Sequence, residues 1–163
     1  MNGNHIAALE DCRNDLNIIK EKINQNRFDS TVRYLNSYAV VKICGTFEII
    51  FKEILFDYLS VNANDENKRF LTVHIIDSSS NPSTGKVSTF LQNMNVSWKE
   101  RFDLAVKEEN QGKVALNSLV NFRNDFAHGR NFSCSIENII KYFESAIFIF
   151  DTLYEIINTE TQD

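Results

Sequence analysis

An all-α domain is the fold this chain predicts, on three grounds. Only 1 Pro and 5 Gly interrupt its 163 residues, so elements should be long and unbroken rather than the many short strands of a β fold. Apolar residues recur every three or four positions through several stretches, which is the period of an amphipathic helix. The apolar share is 43%, with 13 Phe. A chain of this length buries roughly 70% of its unfolded surface, enough to close one core, so a single domain over 1–163 is expected.

The first helix is expected over 6–23, where Ile6, Leu9, Leu16, Ile19 and Ile23 keep helical spacing with charges between them. "NRFDST" breaks it, and Asp29, Ser30 or Thr31 is placed to cap the next helix. From Val32 onward, Leu35, Ala39, Val40, Ile43, Phe47, Ile50, Phe51, Ile54 and Tyr58 make this the most buried helix of the domain. "NANDENK" is a polar loop. "RFLTVHIID" suits a short helix or a strand, and helix is preferred because no partner strand is in sight. "SSSNPSTGK" holds the only Pro, four Ser and a Gly, and predicts a flexible loop near 77–86. It lacks the glycine spacing and the ending of a phosphate-binding loop. Two shorter helices follow, near 86–94 and 97–109, with Trp98 and Phe102 read as core and Glu108 and Glu109 as a solvated pair.

The next helix is expected over 113–128, with Val114, Leu116, Leu119, Val120 and Phe122 apolar. Gly129 stands where a left-handed residue would stop it. The last begins after "SCS", with Ser135 as N-cap and Ile136, Ile139, Ile140, Phe143, Ile147, Phe150, Tyr154 and Ile157 as its apolar stripe.

Composition also excludes. Cys12, Cys44 and Cys134 are odd in number and contain no CxxC pair, so neither a disulfide framework nor a zinc site is expected, and a reducing, cytoplasmic setting fits. Cys44 and Cys134 read as small apolar residues rather than nucleophiles. No secretory signal is evident at the start of the sequence. The longest apolar stretch, 38–59, is broken by Lys42, Glu48, Lys52, Glu53 and Asp57, so no membrane span is expected. A net charge of -5 argues against coating nucleic acid by bulk electrostatics, but leaves room for a small basic site.

One stretch resists the plain-bundle reading. "NFRNDFAHG", residues 121–129, puts Arg123, Asn124, Asp125 and one of only 3 histidines, His128, just before a helix-stopping glycine. Asn124 and His128 are about 40° apart on a helix and share a face, whereas Arg123 and His128 are about 140° apart. At the helix end the imidazole can swing outward while the arginine reaches along the same edge. A histidine there feels the negative end of the macrodipole, which favours its protonated form. An imidazolium beside a guanidinium is an anion or phosphate site. A histidine at a helix C-terminus is also a common stabilising choice, so the cluster alone leaves both readings open.

"RNDFAH" resembles the R-x4-6-H motif of the HEPN superfamily, here with four intervening residues. Upstream, "SYAVVKICGTFEIIFKEIL", with Phe47 and Glu48, is similar to the aromatic-glutamate helix of the RiboL-PSP-HEPN branch. The likeness covers roughly 30–157, and segment 61–112 has no counterpart in it.

This resemblance implies an all-α antiparallel helical bundle with additional short helices in the middle segment. It also implies a metal-independent endoribonuclease acting as a homodimer in which two motifs face each other. His128 would be the general acid or base, moving the proton of the ribose 2′-hydroxyl or of the 5′-leaving oxygen. Arg123 would hold the scissile phosphate and offset its growing charge. Asn124 would orient the imidazole or contact the phosphate. Glu48 would lend support, pairing with Arg123, and Arg130 would add positive charge. No cofactor and no metal is expected, and His5 and His74 read as surface or packing residues. RNA is the implied substrate, with a toxin or antiviral effector role and an antitoxin or defence-system partner. The alternative is a non-catalytic module of the same type that binds RNA or protein.

Overall fold

A computed structural model describes residues 1–159, which form seven α-helices and no strand. The first, α1 (Gly3–Gln25), starts three residues earlier than its apolar spacing suggested, because the Asn2 side chain caps it by accepting from the His5 amide at 3.0 Å. At the break before α2 (Val32–Ser60), Asp29 does engage, but its carboxylate accepts from the Thr31 amide at 2.7 Å and so orders the turn rather than capping the helix. α2 is about 43 Å long at 1.5 Å per residue and packs against both terminal helices.

The ambiguous segment is helical. α3 (Asp65–Leu71), capped by Asn64, runs on as a π-helical turn over Thr72–Ile76 that closes with the Asp77 amide donating to the Thr72 carbonyl at 2.9 Å. The β-branched residues there have no second strand to pair with, so the backbone satisfies itself within one segment.

The following loop is tied to its neighbours at several points. Its Ser80 amide donates to Glu48 at 2.7 Å, Lys52 donates to the Ile76 carbonyl at 3.1 Å, and Asn117 accepts from the Thr84 amide at 3.2 Å. Pro82 and Thr84 are buried, and α4 (Thr84–Met94) has already begun before position 86. Polar side chains on two neighbouring helices supply the partners that loop backbone usually takes from water. A single residue, Asn95, closes α4 and caps α5 (Val96–Glu108) by accepting from the Ser97 amide at 2.9 Å. The chain then turns into α6 (Asn110–Ala127) and ends on α7 (Ile136–Thr159), which Ser135 caps through the Asn138 amide at 3.3 Å.

One apolar core runs through α1, α2 and α4–α7. At its centre Phe47 stacks on Phe150 and Phe143, with ring centroids 4.6 and 5.6 Å apart. Trp98 is core, as expected, edge-on to Tyr58 at 5.1 Å. Cys12 and Cys44 are buried, and burial pushes the Cys44 thiol up to about 12, which keeps it protonated and apolar in character.

α6 and α7 pack most extensively, and Gly112 makes this possible. A methyl group there would stand 3.0 Å from the Ser145 carbonyl oxygen and 3.2 Å from Phe148. The obstacle is main chain of a packed helix and cannot step aside cheaply. Gly112→Val should therefore cost about 1–3 kcal/mol of stability through overpacking, read as a lower denaturant midpoint. An unchanged midpoint would show that α7 yields.

His5 is a packing residue, fully buried and edge-on to Tyr154 at 5.9 Å. Its Nε2 lies 3.4 Å from Glu53, yet neither ring nitrogen has a hydrogen-bond partner among the described residues. Burial dominates, holding the imidazole below its ordinary value of 6.5 against the opposing pull of Asp57. The ring is therefore neutral near pH 7, and unfolding lets it take up a proton. Its contribution to stability is present above pH 6.5 and is lost as the pH falls below that value. The unfolding free energy measured from about pH 7.5 down to about pH 5.5 should fall by at most roughly 1.4 kcal/mol per unit. His5→Phe should flatten that slope. Glu53, raised by burial, contributes in the opposite sense.

Candidate active site

The stretch around Arg123 lies in the last turns of α6, and the chain after it is held firmly. Gly129 takes φ 70°. Its amide donates to the Phe126 carbonyl at 3.0 Å and the Arg130 amide to the Asp125 carbonyl at 2.8 Å, the two bonds of a Schellman stop. An apolar contact commonly accompanies that stop. Here Arg130 and Asp125 close it instead, with Nε 2.9 Å from the carboxylate. This corrects the role expected of Arg130: its charge is matched by Asp125, and it clamps the turn rather than adding free positive charge.

Two further contacts, which the sequence did not reveal, fix where the chain goes next. Phe122, immediately before the motif, stacks on Phe132, just after it, with centroids 4.8 Å apart. The Asn36 side chain of α2 donates to the Cys134 carbonyl at 3.0 Å. The only signal for the first was two phenylalanines flanking the motif, and periodicity cannot pair residues across a turn. Together they carry the chain from α6 into the start of α7.

On this frame Arg123 and Asn124 are half-buried and His128 is exposed. The Arg123 guanidinium donates to the Asn124 side-chain oxygen over a long 3.4 Å, so Asn124 touches the arginine rather than the imidazole. His128 is held by its own main chain, its amide donating to the carbonyls of Asn124 at 3.0 Å and Asp125 at 3.2 Å. The imidazole is thus anchored at its root and free at its tip, and no hydrogen bond joins it to Arg123 among the described residues. The charge of Arg123 opposes the upward shift that burial imposes on Cys44 of α2.

Glu48 does not pair with Arg123. It bonds Lys52 one turn along, at 2.8 Å, and accepts from the Ser80 amide, so it latches the loop to α2. The reason is reach: Lys52 sits at i+4 on the same helix face, the spacing at which such pairs form. Arg123 in consequence has no carboxylate partner among the described residues. A half-buried guanidinium left this way favours an anion from outside.

The other histidines stand elsewhere, His5 in the core and His74 on the π-turn, its ring 4.1 Å from that of Phe70. Among the described residues no group of three or more His, Cys, Asp or Glu is placed to hold a metal ion, and no helix is long and apolar enough to cross a membrane.

Tyr34, Tyr38, Val41 and Ile49 are exposed along one stripe of α2, and Phe126 is exposed on α6 between Arg123 and His128.

No curated protein and no solved structure matches the chain. A family sequence model does, over residues 7–159, nearly the whole length and including every residue of the motif. The chain therefore belongs to the RiboL-PSP-HEPN family.

Proposed function

We propose that this chain is a metal-independent endoribonuclease whose site forms where two protomers bring their motifs together. The observation that carries the reading is the end of α6: an exposed His128 and, five residues before it, a half-buried Arg123 with no carboxylate partner among the described residues, in a chain of a HEPN family. In the reaction the ribose 2′-oxygen attacks the neighbouring phosphorus, and the bond to the 5′-oxygen breaks. His128 of one protomer takes the 2′-hydroxyl proton, and the partner's His128 protonates the leaving 5′-oxygen. The two Arg123 side chains bind the non-bridging oxygens and offset the charge that grows on them. Asn124 sets the direction of Arg123. The products are a 2′,3′-cyclic phosphate and a 5′-hydroxyl.

The exposed stripe on α2 supports an assembly of this kind. Pairing it would remove apolar surface from water and concentrate positive charge at one seam of an otherwise acidic protein. RNA is the substrate class, and a toxin or antiviral effector, restrained by a partner protein, is the setting such an activity suits. Light scattering tests the assembly directly. A dimer is expected at micromolar concentration, and a monomer there would leave each half-site alone and overturn the proposal.

One observation favours a second reading, a non-catalytic binding module: the net charge of -5. That reading expects a partner complex lost on Arg123→Ala and no turnover of RNA.

A further inference from the structure

A cavity of about 460 Å³ opens between α2, the π-turn and α4, away from the motif. That is within the range of small-molecule sites, roughly 300–1,000 Å³. Its floor is apolar: Phe51, Leu55 and Phe90, with Phe51 and Phe90 edge-to-face at 5.9 Å. Its rim is polar, with Ser79, Thr89 and Asn93. Of its two lysines, Lys52 is already committed to Glu48, whereas Lys86 is exposed and has no carboxylate partner among the described residues.

The sign of the lining is informative. The chain has 22 acidic and 17 basic residues, yet no Asp or Glu lines this cavity. Lys86 and Gly85 lie in the first turn of α4, where the macrodipole adds positive potential. Gly85 brings no side chain to the mouth, and a methyl group there would meet open space. The π-turn forms another wall, and such turns occur frequently at functional sites.

An aromatic floor accepts a flat ring, a lone ammonium at the mouth accepts an anion, and hydroxyl and amide groups between them suit a sugar. We infer that this cavity holds one nucleotide, its base against Phe90 and its phosphate at Lys86. The nucleotide is either free or one residue of a bound RNA, and the inference does not rest on the cleavage reading. On α2, Lys52 is eight residues from Cys44, the thiol that feels Arg123, so about 12 Å of helix separates the pocket from the motif's side of the domain.

Calorimetric titration of the full chain tests this with adenosine 5′-monophosphate, uridine 5′-monophosphate and an adenine hexanucleotide. Saturable submillimolar binding of at least one mononucleotide is expected. A hexanucleotide that binds more tightly than the monomer, competitively with it, assigns the pocket to RNA; equal or weaker binding assigns it to a free nucleotide. Gly85→Glu should weaken binding by about tenfold or more with the melting temperature unchanged or raised, since the new side chain meets open space and glycine is a poor helix former. Phe90→Ala should weaken it as well. His128→Ala should bind the mononucleotides as the parent does, which separates this site from the motif. If no probe binds at millimolar concentration, or if Gly85→Glu and Phe90→Ala bind unchanged, the inference is overturned.

Discussion

His128→Ala should lower RNA cleavage by about 10²–10⁴-fold, the range for losing a positioned general acid or base. Folding should barely notice. The imidazole is exposed, and the bonds that hold residue 128 come from its amide, which alanine keeps. Its φ of -94° is open to any residue. Initial rates on a single-stranded RNA, together with a thermal melt of the same preparation, check both halves. A variant that cuts at the parental rate would remove His128 from the chemistry. A variant that is inactive because it melts early would contradict the main-chain anchoring described for the turn.

Phe47→Ala should produce the largest loss of stability, about 3–5 kcal/mol, from a fold whose total is about 5–15 kcal/mol. Phe47 is fully buried, and the stack it makes with Phe143 and Phe150 ties α2 to α7 across the middle of the core. Both rings lie on one helix, so relaxation of a single side chain cannot fill the space left behind. A shift in urea midpoint at constant slope measures the loss. A cost below about 1 kcal/mol would mean that the core closes over the gap, and that the stack is not what aligns α2 with α7. The proposed assembly depends on that alignment, because α2 carries the exposed stripe.

Much of this architecture was legible in the residues. Helices announce themselves through spacing within a single segment, and the cues that end them are local. Ser135 and Gly129 each act within a turn of their own position. The motif was legible for the same reason: Arg123, Asn124 and His128 lie within six consecutive positions, and the family match covers them all.

What spacing hid was partnership between segments. Glu48 looked available to Arg123, but Lys52 sits one turn away on its own helix and the Ser80 amide arrives from a loop 32 residues downstream. Arg130 looked like spare charge until the turn at Gly129 folded it back onto Asp125. The backbone of the serine-rich loop finds its partners on two neighbouring helices, which its polar composition does not name. In each case the deciding partner is set by how helices pack, which no local pattern encodes.

The chemistry of the cut ends decides the central claim. RNA incubated with the parent protein in excess EDTA should yield fragments whose 3′ ends carry a 2′,3′-cyclic phosphate and whose new 5′ ends are free hydroxyls, as mass spectrometry reads directly. Intact RNA at high protein concentration, cleavage that disappears with EDTA, or fragments ending in a 3′-hydroxyl would each contradict an attack by the RNA's own 2′-oxygen at Arg123 and His128.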